Sequence, residues 1–138
     1  MFNPRPLPHE VVIPSDLSAA RVIEDEILRQ AEALGYSPEY CFAIHLALEE
    51  AVVNAHKHGN QSDPAKKLVI SYKVDRQRVI VRVRDEGAGF DPHCVPDCTA
   101  PDRISLPYGR GIMLMHAYLD RVSYNESGNE VEMVKEKC

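Results

Sequence analysis

The sequence predicts an α+β fold in which helices lie on one face of a mostly antiparallel sheet. Three observations predict it. Apolar residues recur at a helical period from Leu17 to about His58, interrupted once at Gly35. The period then changes to strand-like runs, Leu68–Val74 and Arg78–Arg84, on either side of Asp75-Arg76-Gln77. A second strand pair, Arg121–Asn125 and Glu130–Lys135, closes the chain around a Ser127-Gly128-Asn129 turn. The resulting order is β-α-α-β-β-loop-α-β-β. A chain of 138 residues is long enough for one domain with a real core.

Residues 1–9 hold three prolines and predict an extended N-terminal arm; the domain is expected over 10–138. Glu10–Ile13 is a short β-branched run before Pro14 and predicts the first strand. Ser15 or Ser18 is the expected cap of a helix reaching about Leu34, with Leu17, Ala20, Ile23, Ile27, Leu28 and Ala31 on one face. Gly35 stands where a helix-terminating glycine belongs. Ser37-Pro38-Glu39 restarts a helix, with serine as cap, proline at the first position and an acid in the first turn. The strands at 68–74 and 78–84 form a hairpin. Arg76, Arg78 and Arg82 alternate with valines and isoleucines and read as a solvated strand face. Residues 91–108 carry four of the ten prolines and predict a long loop, followed by a short helix from Gly111 to about Leu119.

Composition excludes several classes. Apolar residues make up 44% and charged residues 27%, which fits a soluble globular chain. A net charge of −5 argues against a nucleic-acid backbone as the main partner. No apolar run of membrane-spanning length occurs, and MFNPRPLPHE lacks the apolar stretch of a secretory signal, so the expected compartment is the cytoplasm. Four cysteines do not make a disulfide framework.

Three motifs can carry chemistry. In LEEAVVNAHKHGN, residues Glu50, Asn54 and His58 are spaced to form a polar ridge on one helix face. An Asn carbonyl oxygen can ligate Mg²⁺, and a nearby carboxylate can take a proton from an attacking hydroxyl. An exposed helix face fraying into a turn gives the same pattern. Asp85-Glu86-Gly87-Ala88-Gly89-Phe90 ends a strand; its glycines allow close backbone approach and its carboxylate can accept from an exocyclic amine. A plain strand-ending turn reads the same way. Gly109-Arg110-Gly111 stands where the long loop meets a helix, a natural phosphate cradle or a simple hinge.

The ordered set resembles the N-box, G1 box and G2 box of the GHKL ATPase superfamily. Its wording is most similar to the stand-alone anti-sigma factor serine/threonine-protein kinases of bacteria, over about residues 10–136. The resemblance implies a two-layer α/β sandwich of the histidine-kinase-like ATPase type, with a mixed sheet and ATP held between helices and a lid at about 91–108. It implies ATP and Mg²⁺ as cofactors, with Asn54 holding the metal and Glu50 as general base. Asp85 would bond the adenine amine, Gly87 and Gly89 would shape the adenine pocket, and Gly109, Arg110 and Gly111 would meet the phosphates. His58-Gly59 matches the end of the N-box, and Lys57 either adds charge near phosphate or is solvated. The implied partners are a STAS-type antagonist, phosphorylated on Ser or Thr, and a sigma factor, sequestered by a kinase homodimer. The alternatives are a nucleotide-gated binding module without catalysis and the catalytic fragment of a sensor histidine kinase. His9 is no phosphoacceptor candidate for the latter, since prolines precede it and a strand follows.

Other groups read as incidental. His93, Cys94, Asp97 and Cys98 crowd the loop, yet zinc sites usually bring a second, distant pair. Cys41 and His45 on the second helix read as packing or surface residues. Met113, Leu114 and Met115 read as the core of the third helix, with His116 on its exposed side.

Overall fold

A computed structural model of the chain describes residues 5–87 and 119–137. The long loop, the third helix, the Gly109-Arg110-Gly111 motif, Gly89 and the loop cysteines lie outside the described residues.

Strand β1 spans His9–Pro14 and helix α1 spans Leu17–Ala33. The cap of α1 is Asp16, not the expected Ser15 or Ser18. Asp16 has the extended backbone of a cap, and its carboxylate accepts from the Ser18 N–H at 2.8 Å. Ser15 is instead drawn inside. Its N–H donates to the Lys66 carbonyl at 3.0 Å and its hydroxyl meets His56 Nδ1 at 2.8 Å. Gly35 ends the helix as expected, with φ +84°. The Tyr36 N–H reaches back to the Ala31 carbonyl and the Gly35 N–H to that of Glu32, which satisfies the last turn. Helix α2 spans Pro38–Asn54; Ser37 accepts from the Tyr40 N–H at 3.1 Å and Pro38 opens the first turn.

Strands β2 (Lys67–Val74), β3 (Arg78–Arg84), β4 (Arg121–Tyr124) and β5 (Glu130–Glu136) complete a five-stranded sheet of order β1-β2-β3-β5-β4. Every pairing among the described strands is antiparallel, so the mixed element expected of the sheet is not found there. The β2–β3 and β4–β5 pairs are hairpins and leave no other orientation open.

One face of the sheet carries the core. Leu68, Ile70 and Tyr72 on β2 and Val79, Val81 and Val83 on β3 alternate toward the helices. They meet Ala20, Ile27 and Ala31 of α1 and Ile44, Leu48 and Val52 of α2. Each buried valine, leucine or isoleucine among them contributes about 1.5–3 kcal/mol by leaving water.

The opposite face is not the solvated surface expected of the arginines. Arg76 and Arg78 are exposed or half-exposed, but Arg82 is buried. Its Nε donates to Glu132 Oε2 at 2.8 Å, and Glu132, only 1% exposed, also accepts from Arg121 at 3.3 Å. Arg82 Nη1 donates to the Arg5 carbonyl at 2.5 Å, so the end of the N-terminal segment lies across this face. Charge beside valine on a strand says which face a residue takes. It does not say what covers that face.

Candidate functional site

The site is assembled where α2 runs out. Glu50 and Asn54 stand one turn apart on regular α-helix, both half-buried. Beyond Asn54 the chain widens into a single π-helical turn, Ala55–Gly59, closed by the Asn60 N–H on the Ala55 carbonyl at 2.8 Å. Such turns recur at functional sites. The regular four-residue ridge therefore holds from Glu50 to Asn54, while His58 sits on the widened turn. Burial, and then the Lys57 charge, lower the His58 pKa below the ordinary histidine value.

The π-turn ends against the strand-end motif. A Cβ on Gly59 would lie 2.2 Å from the Asp85 carboxyl. A Cβ on Gly87 would lie 2.0 Å from the Gly59 carbonyl oxygen. Neither glycine has a positive φ, so glycine is needed here for closeness rather than for backbone freedom. The two motifs, 25 residues apart in sequence, are thus in direct contact at Gly59, Asp85 and Gly87.

Asp85 is held in place by its own turn. The Gly87 N–H donates to Asp85 Oδ1 at 2.8 Å, and the Asp85 N–H donates to the Asn129 carbonyl at 2.9 Å. Burial pushes the Asp85 carboxyl above the usual carboxylate range, against the opposing pull of the Gly87 N–H and the Lys66 charge. A ligand amine donating to the free oxygen would favour the ionised form further.

Asn60 joins the parts, a role the sequence reading missed. It is fully buried. Its Nδ2 donates to the Lys67 carbonyl at 3.0 Å and its Oδ1 accepts from the Glu86 N–H at 2.8 Å. Glu86 in turn accepts from the Lys67 N–H at 2.5 Å. His56 is spent on Ser15, so the histidine nearest Asn54 holds the helix end to the start of α1. An Asn following His-Gly and a Glu following the strand-end Asp were the available signals. Nothing in their spacing links them without the fold.

Asn54 carries an open hydrogen-bonding capacity. Its Nδ2 is buried without a partner, and the carboxamide can turn to present either terminal atom. Turned so that its oxygen takes the place of the unpartnered Nδ2, the carboxamide, one turn from a carboxylate, fits an oxygen-seeking cation such as Mg²⁺. Of the residues expected to form the site, Glu50, Asn54, His58, Asp85 and Gly87 lie at this end of α2 and the β3 turn it touches.

The sequence model of the histidine kinase-like ATPase domain matches residues 13–135. The chain belongs to this family. The histidine kinase-like ATPase domain is similar to the serine-protein kinase RsbW of Bacillus subtilis, at 29% identity over 91% of this chain and 83% of that protein. RsbW of Listeria monocytogenes is 28% identical over 76% of this chain and 71% of its own length. The anti-sigma F factor of Anoxybacillus flavithermus is 30% identical over 67% and 66%. Among solved structures, the RsbU and RsbW domains of a Mycobacterium tuberculosis protein superpose with a TM-score of 0.59 at 16% identity. That match covers 93% of this chain and 32% of the other, which is a longer polypeptide. It shows the fold of this ATPase domain. No helix among its described residues is long and apolar enough to cross a membrane.

Proposed function

We propose that this chain is an ATP-dependent serine/threonine-protein kinase that also acts as an anti-sigma factor. It would phosphorylate a STAS-type antagonist and sequester a sigma factor as a homodimer. The names of the similar proteins, serine-protein kinase and anti-sigma F factor, support both halves of this reading. The single observation that carries it is local: a carboxylate, Glu50, one helical turn before an Asn54 whose carboxamide has a buried, unpartnered atom.

In this reading Asp85 accepts the exocyclic amine of adenine and Gly87 and Gly89 shape the adenine pocket, while Gly59 lets the end of the π-turn close against Asp85. Asn54 holds Mg²⁺, which when bound neutralises phosphate charge. Gly109, Arg110 and Gly111 supply backbone N–H groups and a cation to the phosphates. Glu50 takes the proton from the protein hydroxyl as its oxygen attacks the terminal phosphorus and the bond to the departing diphosphate oxygen breaks.

The test is transfer of labelled terminal phosphate from ATP to a STAS-type antagonist from the same organism. Wild type should label a Ser or Thr. Glu50→Ala should keep nucleotide binding and lose about 10²–10⁴ in transfer rate, or roughly 3–5 kcal/mol. Equal rates in the two proteins would remove Glu50 from the mechanism. Nucleotide binding with no labelled residue would favour a non-catalytic regulator.

A further inference from the structure

The α1–α2 interface buries a polar group that the nucleotide site does not use. Glu24 lies on α1 in the same stripe as Ala20, Ile27 and Ala31, and is 2% exposed. His45 and Glu49 lie one turn apart on α2, facing it. One ligand atom from each of Glu24, His45 and Glu49 lies within 4.8 Å of the other two.

As carboxylates and a neutral imidazole, these groups are only partly satisfied by the protein. In that form neither Glu24 oxygen has a hydrogen-bond partner, and neither does His45 Nδ1. Arg21 reaches Glu49 Oε1 at 3.3 Å from the exposed rim but makes no bond to Glu24. A carboxyl buried in an apolar stripe is costly, and valine or leucine would fit the stripe better. Burial first, then the Glu49 charge and a hydrogen bond to the Glu49 carboxylate, push the Glu24 carboxyl up to about 8, so it holds a proton at pH 7 and shares it with Glu49. That proton relieves the charge on the carboxyl pair, while His45 Nδ1 makes no hydrogen bond.

We propose that Glu24, His45 and Glu49 bind one divalent first-row transition ion, with Zn²⁺ the best fit, across the α1–α2 interface. One imidazole nitrogen and two carboxylate oxygens make a three-ligand set, and water completes the usual tetrahedron. The imidazole disfavours Mg²⁺ and Ca²⁺, which prefer all-oxygen sites. The ion replaces the proton on Glu24, so binding releases it. It also staples the two helices one residue away from Glu50. His45, read from sequence as packing or surface, thereby gains a role. Its partner on α1 is 21 residues distant and invisible to local spacing.

The experiment is calorimetric titration of the full, chelator-stripped chain with ZnCl₂, in two buffers of different ionisation enthalpy. One equivalent should bind with proton release and raise the thermal unfolding temperature. His45→Gln and Glu24→Gln, each checked for folding by circular dichroism, should weaken binding by at least about 100-fold, exceeding what loss of an outer-shell partner usually costs. The double variant Cys94→Ser, Cys98→Ser should bind as wild type does. Absence of saturable binding would overturn the proposal. So would binding that survives both helix substitutions, or that vanishes with the loop cysteines.

Discussion

The two faces of this domain treat buried polar groups in opposite ways. On the sheet face away from the helices, Arg82 and Glu132 are almost fully buried and fully engaged with each other, with Arg121 and with the Arg5 carbonyl. On the helical layer, both Glu24 oxygens, His45 Nδ1 and Asn54 Nδ2 are buried with no donor or acceptor supplied for their charged or neutral forms beyond the neighbouring Glu49 carboxylate. Every unpartnered buried side-chain atom among the described residues lies on α1 or α2. Satisfied polar groups hold a fold together, whereas each unsatisfied one calls for a reason beyond packing, such as a catalytic role, a bound ion or water. The contrast separates the structural side of the molecule from its chemical side without reference to any relative.

The largest effect should come from breaking the satisfied side. Glu132→Ala leaves Arg82 buried without its carboxylate, which costs about 3–5 kcal/mol for pairs of this kind. Urea unfolding should show that loss, while nucleotide affinity of the folded fraction stays unchanged. A loss under about 1 kcal/mol would make the pair a surface ornament and erase the contrast.

A smaller effect, visible through pH, should mark the unsatisfied side. Burial and the Glu49 charge push the Glu24 carboxyl up to about 8 in the folded chain, against 4.5 for an ordinary glutamate. The groups around it are Arg21 and Asp25 on its own helix and His45 and Glu49 on α2. Because the folded state holds the proton more tightly, stability is fully present below pH 4.5 and is lost as pH rises toward 8. The slope from this one group is at most about 1.4 kcal/mol per pH unit. Glu24→Gln removes it. In chelator, the variant's unfolding free energy should fall less steeply from pH 5 to pH 8 than that of wild type. Parallel curves would mean that Glu24 is ionised and solvated after all.

Much of the fold was legible because its signals are local. Ser37-Pro38-Glu39 starts a helix wherever it is placed, and Gly35 stops one because its φ of +84° suits no other residue as well. The β2–β3 hairpin follows from alternation alone. The misreadings came where the deciding partner is remote. Arg82 looked solvated because Glu132 is 50 residues away, and Ser15 looked like a cap because His56 is 41 away. For the candidate site, sequence order brought Glu50, Asn54 and Asp85 to attention. The fit of Gly59 against Asp85 and Gly87 and the rivet at Asn60 depend on a π-turn that no periodicity signals.

The most direct measurement is calorimetric titration of the purified chain with ATP, with and without Mg²⁺. Saturable binding that strengthens with Mg²⁺, and that loses this strengthening in Asn54→Ala, is the expected result. No heat up to about 1 mM ATP, where binding free energy falls to roughly −4 kcal/mol, would contradict a nucleotide site at the end of α2.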